Sequence, residues 1–141
     1  MTEKPAPRLH HVVFCTFPDH QERAANFWRE LGLVFQDIAL SDLGLRVLID
    51  WQAGIEVVAP TAPEVTEAAR FTAFLEEHGE GVYSVVLAVP DVEEPAAVAA
   101  RYGSPVLYQQ RREYGDYRLD EAMVAPVQGM PVTFLATNRI A

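Results

Sequence analysis

Residues 11–32 read HVVFCTFPDHQERAANFWRELG, and residues 84–103 read SVVLAVPDVEEPAAVAARYG. In each stretch an apolar run leads to a Pro-Asp pair, and an amphipathic segment then ends at a glycine. The spacings between these landmarks agree to within one residue. A short apolar run closes each half of the chain, at residues 54–58 and at residues 131–135. This near-repeat predicts two copies of one supersecondary unit.

The apolar patterns predict a strand, a helix and three further strands in each half. In the first half the strands are expected at residues 9–16, 33–40, 45–51 and 55–59, with a helix from Pro18 to Gly32. In the second half they are expected at residues 82–89, 106–110, 117–119 and 132–136, with a helix at 92–101. A further helix at residues 64–78 connects the two halves.

The first helix carries an apolar stripe that we expect to be buried in the core. Its members are Ala24, Ala25, Phe27, Trp28 and Leu31. Trp51 is expected in the core as well. Cys15 is the single cysteine, so it forms no internal disulfide and is expected to be a small buried hydrophobic residue.

Length and composition predict one globular domain at residues 9–141, preceded by a flexible arm at residues 1–8. Half of the 141 residues are hydrophobic, which is enough for a substantial core. Within the domain, unit one covers residues 9–59, the linker helix covers 60–81 and unit two covers 82–137.

Charge and hydropathy restrict the partners. The net charge of −9 argues against a nucleic-acid partner, because phosphate binding needs an excess of Lys and Arg. No apolar run approaches the roughly 20 residues of a membrane helix. Residues 1–8 are polar and lack the apolar core of a signal peptide. We therefore expect a cytoplasmic protein that binds a small molecule and neither nucleic acid nor membrane.

The pattern from residue 9 to residue 137 resembles the vicinal oxygen chelate superfamily, which includes glyoxalase, bleomycin-resistance proteins, extradiol dioxygenases and methylmalonyl-CoA epimerase. The matching segments are Leu9-His10-His11-Val12-Val13, Phe27-Trp28-Arg29-Glu30-Leu31-Gly32-Leu33 and Gly54-Ile55-Glu56-Val57-Val58. Residues 74–84, followed by Val89-Pro90-Asp91, are most similar to the epimerase branch. The resemblance implies an α+β fold in which two βαβββ units form a curled mixed sheet around a central cavity. It also implies a homodimer.

In this superfamily a divalent metal is held by residues on the first and last strands of both units. By this resemblance His11 matches the ligand of the first strand, and Glu56 stands where the last strand offers an oxygen. Ser84 and Thr133 stand where epimerase-like members carry a histidine and a glutamate. Neutral hydroxyls are poor ligands for such metals, so the implied metal site, His11 with Glu56, is incomplete. Ser84 and Thr133 either bind the substrate or fill positions that have lost their ligands.

Arg111 and Tyr114 belong to the main basic and aromatic concentration in this acidic chain. They are candidates for binding a carboxylate, phosphate or phenol of the substrate. The other interpretation is a solvated surface on which the Arg stems pack against aromatic rings.

The sequence thus predicts a small-molecule enzyme of isomerase or lyase type, acting on a carbonyl-bearing or oxygen-rich substrate, with a degenerate metal site and no organic cofactor. With a metal, His11 and Glu56 would anchor the ion and the substrate would complete its shell. Without a metal, the same two residues would be a catalytic acid/base pair. The alternative is a non-catalytic small-molecule binding protein of the bleomycin-resistance type. A third interpretation is a subunit whose pocket is completed by a partner chain.

Overall fold

Two successive βαβββ units, connected by a helix, make up the part of the chain that the computed structural model describes, residues 5–138. The elements are β1 (Arg8–Cys15), α1 (Gln21–Glu30), β2 (Gln36–Leu40), β3 (Leu45–Asp50), β4 (Ile55–Pro60), α2 (Thr66–His78), β5 (Gly81–Ala88), α3 (Glu93–Arg101), β6 (Val106–Tyr114), β7 (Tyr117–Val124) and β8 (Val132–Thr137). None of the helices within these residues is both long and apolar enough to span a membrane. The predicted arm and the predicted end of the domain lie partly outside the described residues.

The first unit, His11–Tyr83, contains a mixed sheet in the order β2-β3-β4-β1. The strands β2, β3 and β4 pair antiparallel, as expected for consecutive strands joined by short turns. β1 and β4 pair parallel, with Val12 opposite Ile55 and Val13 opposite Glu56. Parallel pairing needs a long crossover, which α1, β2 and β3 provide.

The second unit contains residues 84–138 together with residues 5–10, and its strands β5 to β8 repeat this arrangement in the order β5-β8-β7-β6. β5 and β8 pair parallel, with Val85 opposite Val132 and Val86 opposite Thr133. The other neighbours pair antiparallel. The predicted α+β class and the two βαβββ units are therefore confirmed.

The core of each unit lies between its helix and one face of its sheet. In the first unit, Ala25 of α1 packs with Leu48 and Val57. The matching cluster of the second unit consists of Val92, Ala99, Ala122, Val124 and Phe134.

The predicted apolar stripe of α1 is wrong at two positions, because the side chains of Phe27 and Leu31 are 57% and 64% exposed. Instead, α1 buries Gln21 and Ala25 fully, and Ala24 and Trp28 pack partly buried against the same core cluster. The Gln21 side-chain amide donates hydrogen bonds to the carbonyls of Arg46 and Val57 at 2.9 and 3.1 Å. Because these bonds replace the hydrogen bonds that the amide would make with water, its burial does not destabilise the folded state.

The bounds of three predicted strands also change. The strand expected at residues 33–40 begins at Gln36, and the strands expected at 106–110 and 117–119 are longer, running to Tyr114 and Val124. They form one long antiparallel hairpin whose turn contains Gly115 at φ +63°. Residues 111–121 read RREYGDYRLDE, in which consecutive charged residues hide the period-two apolar signal of a strand.

The turn between β2 and β3 contains a close backbone approach at Gly44. Its φ is +68°, and its carbonyl accepts hydrogen bonds from the Thr61 and Ala62 amides at 2.7 and 3.2 Å. A Cβ at Gly44 would lie 2.8 Å from the Ala62 carbonyl oxygen and 3.1 Å from the Ala68 Cβ. This turn thereby holds the segment that leads from β4 into α2.

We predict that Gly44→Ala lowers the free energy of unfolding by about 2–4 kcal/mol, because left-handed strain and a backbone clash add together. Gly115→Ala is the matched control, since its φ of +63° is similar and its Cβ would meet nothing within 4 Å. We expect the control to lose only about 1 kcal/mol, from the backbone strain alone. Urea unfolding followed by circular dichroism measures both, and equal losses would contradict the close approach.

Candidate functional site

The parallel pairing of β1 with β4 brings His11 and Glu56 together. Alternation along β1 places His11 on the same face as Val13, and Val13 lies opposite Glu56. The His11 Nε2 and Glu56 Oε1 atoms are 3.1 Å apart. The His11 side chain is only 4% exposed, whereas that of Glu56 is 17% exposed. The structure thus forms a largely buried imidazole–carboxylate pair from two residues 45 positions apart.

The hydrogen bond defines the roles of the two side chains. A carboxylate can only accept, so Nε2 of His11 carries the hydrogen and donates it. Within residues 5–138, Glu56 has no other hydrogen-bonded side-chain partner, and its Oε2 atom is therefore available for a further proton or ligand. Glu56 is also the more accessible member of the pair.

Trp51 holds the imidazole from the side, a contact that the sequence did not reveal. Its indole lies edge-on to the His11 ring, with the ring centroids 5.9 Å apart and the planes at 76°. The indole Nε1–H donates to Gln36 Oε1 at 3.1 Å, which fixes the ring against β2. Trp51 directly follows β3 and lies in the turn that leads to β4, the strand of Glu56. This position in the sequence is the signal that could have indicated its contact with the His11–Glu56 pair.

Ser84 and Thr133 occupy the corresponding positions in the second unit. Val86 lies opposite Thr133, which repeats the pairing of Val13 with Glu56, and the Ser84 Oγ and Thr133 Oγ1 atoms are 2.7 Å apart. Both side chains are buried. Each unit therefore brings the same two positions into hydrogen-bonding contact. Binding of substrate by Ser84 and Thr133 stays a prediction.

Arg111 and Tyr114 lie on β6, which β7 separates from β8 and Thr133. The Arg111 side chain is 75% exposed, and its Nη2 atom lies 3.3 Å from Asp120 Oδ2 across the hairpin. The Tyr114 backbone pairs with Tyr117 beside the hairpin turn. The structure thus places both residues far along the hairpin from the hydroxyl pair of their own unit, and their role in binding substrate stays a prediction.

The chemistry of the donors does not fit a divalent metal. His11 and Glu56 supply one imidazole and one carboxylate, and these already bond to each other. Their counterparts in the second unit are neutral hydroxyls, which bind Zn, Fe or Mn ions weakly. Among residues 5–138, no three His, Cys, Asp or Glu side chains are grouped as metal ligands. Within the described residues, the donor set of this site is therefore incomplete for a divalent metal.

Cys15 lies four positions after His11 on β1 and is fully buried. Burial, with a smaller effect of the Glu80 charge, raises the pKa of its thiol to about 12. The thiol therefore stays protonated near neutral pH and is no nucleophile. This agrees with its predicted role as a small buried hydrophobic residue.

Solved structures share this arrangement of elements. A hypothetical protein from Bacillus halodurans C-125 superposes with a TM-score of 0.72 at 17% identity, covering 97% of this chain and 99% of that one. Methylmalonyl-CoA epimerase from Mycobacterium tuberculosis gives a TM-score of 0.66 at 18% identity, covering 96% and 92%. A variant 4-hydroxymandelate synthase from Streptomyces coelicolor gives 0.70 at 15% identity, covering 97% of this chain and 50% of that one.

The fold is that of the vicinal oxygen chelate proteins. No protein-family model matches the sequence, and no curated protein sequence matches it significantly. At sequence identities this low, structural similarity establishes the fold but does not establish an activity. The function has to be argued from the residues of the site.

We predict that Ser84→Ala and Thr133→Val each lower the free energy of unfolding by about 1–3 kcal/mol, since each leaves one buried hydroxyl without its partner. The double variant should be nearly as stable as the less damaging single one, because no unpaired hydroxyl remains. Chemical denaturation of all four proteins gives the coupling energy. Strictly additive losses would contradict a mutual hydrogen bond.

Proposed function

We propose that the chain is an enzyme that moves a proton at a carbon next to a carbonyl group, with Glu56 as the general base and His11 as its positioning residue. The observation that carries this proposal is the 3.1 Å contact between His11 Nε2 and Glu56 Oε1 in a largely buried setting. General acid–base catalysis needs a titratable group held in a fixed position and shielded from bulk water.

In the proposed reaction, Oε2 of Glu56 takes the proton from the substrate carbon. The electron pair of the broken C–H bond moves to the carbonyl, whose oxygen takes the negative charge as an enolate. The protonated Glu56 then exchanges its proton with solvent and returns a hydrogen to the same carbon, which regenerates the carbonyl group and consumes no other reactant. The donated hydrogen bond from His11 keeps Oε1 occupied and directs Oε2 to the substrate.

The substrate class is drawn from the structural neighbours. Methylmalonyl-CoA epimerase from Streptomyces coelicolor, in a complex with 2-nitronate-propionyl-CoA, matches with a TM-score of 0.68 at 20% identity. We therefore propose a small acyl thioester or ketone with an acidic C–H bond as the substrate.

The second candidate function is binding without catalysis. It is favoured by the Ser84–Thr133 pair, because the two hydroxyls bond to each other and supply no acid or base in the second unit. A protein of this kind would bind the same carbonyl compounds and leave their C–H bonds intact.

We predict that the protein catalyses exchange of the acidic C–H of methylmalonyl-CoA or of pyruvate with solvent deuterium, as measured by ¹H NMR in D₂O. Glu56→Gln should reduce the exchange rate at least about 100-fold, because the amide accepts the bond from His11 but takes no proton. His11→Asn should reduce it less, by about tenfold, since it leaves the base in place but unpositioned.

Glu77→Gln is the matched control. Glu77 also lies near a histidine, 3.8 Å from His78, but both side chains are exposed on α2. The control should keep the exchange rate within about twofold of the native rate. Binding of both probes with no exchange above the uncatalysed rate would contradict the enzyme and support the binding protein.

A further inference from the structure

A concave site apart from the His11–Glu56 pair lies within residues 11–83, between β1, α1 and the first residues of β5. We name it the α1 groove, and its volume is about 560 Å³. This is within the usual range of small-molecule sites. Phe14 lines the groove and His11 does not. Alternation along β1 puts these two residues on opposite faces of the sheet, so the groove is separate from the His11–Glu56 pair.

Aromatic rings form the wall of the α1 groove. The Trp28 ring centroid lies 5.8 Å from that of Phe14 and 5.1 Å from that of Phe27. Phe27 is more than half exposed, although an amphipathic helix would normally turn such a ring to the core. A planar apolar ligand would contact all three rings and cover the exposed one.

Of the charged groups that line the groove, the guanidinium of Arg23 forms no ion pair among the described residues. The Glu80 carboxylate accepts hydrogen bonds from the His20 Nδ1–H at 2.9 Å and from the Phe17 amide at 3.0 Å. Arg23 also lines the groove, and its guanidinium makes no ion pair or hydrogen bond among the described residues. An unpaired guanidinium in a concave site of a chain with net charge −9 is complementary to an anion.

A buried hydroxyl is the second indication of a ligand. Thr16 lines the groove, the residue is only 7% exposed, and its Oγ1 atom has no hydrogen-bond partner within residues 5–138. A buried hydroxyl without a partner destabilises the folded state. Because Thr16 lines the groove, a bound molecule with an oxygen beside this residue would supply the missing partner.

From these observations we infer that the α1 groove binds a small aromatic carboxylate. The aromatic body lies against Phe14, Phe27 and Trp28, the carboxylate pairs with Arg23, and the Thr16 hydroxyl donates to the same ligand. The inference is independent of the activity proposed for His11 and Glu56.

The test uses 2-naphthoate as the probe, titrated into the ¹⁵N-labelled full chain and followed by amide chemical shifts. We predict saturable shifts at residues 14–28 and 80–81. Arg23→Gln should raise the dissociation constant at least about tenfold, because it removes the ion pair and keeps a polar side chain on α1. Thr16→Val, which has the same shape, should raise it about three- to tenfold.

Two controls make the result specific. Arg29→Gln changes an arginine on the same helix that already bonds to Glu22 and Asn26, and it should leave the dissociation constant within about twofold. The neutral 2-naphthamide should bind at least about tenfold more weakly, with no response to Arg23→Gln.

Other outcomes would overturn the inference. These are no saturable shifts at millimolar probe, shifts that centre on His11 and Glu56, or an affinity that is unchanged in Arg23→Gln. Concentration-dependent shifts of the groove without any probe would show that a second copy of the chain covers it instead. The amide spectrum of each variant reports in the same experiment whether that variant is folded.

Discussion

The parallel pairing of β1 with β4, with Val13 opposite Glu56, is the constraint on which the site depends. Side chains alternate between the two faces of a sheet, so a shift of one residue in this pairing would move Glu56 to the face opposite His11. The pairing is fixed by the crossover through α1, β2 and β3 and by burial of apolar residues such as Val57 on the α1 side. The same register recurs in the second unit, where Val86 lies opposite Thr133.

This constraint explains why one fold can carry different chemistry at equivalent positions. In both units the two positions face each other, and in both the side chains satisfy each other by a hydrogen bond. A carboxylate in a largely buried place needs such a partner, and the imidazole of His11 provides it. Two hydroxyls satisfy the same geometry without any charge. Substitution at these positions therefore changes the chemistry and leaves the backbone intact.

The fold was predictable because its signals are local and occur twice. The Pro-Asp turns, the glycines that end the helices and the closing apolar strands repeat with nearly equal spacing. Prediction was wrong where tertiary packing overrides the pattern. Phe27 was expected in the core and is exposed. Gln21, for which no burial was predicted, is buried on α1, where hydrogen bonds to two strand carbonyls stabilise its polar side chain. The pairing of His11 with Glu56 was predicted from a resemblance, but the contact of Trp51 depends on a turn that no periodicity describes.

The proposed chemistry depends on the hydrogen bond from the Nε2–H of the buried His11 to the Glu56 carboxylate. Long-range ¹H–¹⁵N correlation of the imidazole rings tests this most directly, because it shows which nitrogen of His11 carries the proton. We predict a protonated Nε2 whose hydrogen exchanges slowly with solvent and whose ¹⁵N shift changes in Glu56→Gln. A His11 ring protonated only at Nδ1, or an Nε2 shift that Glu56→Gln leaves unchanged, would contradict the account.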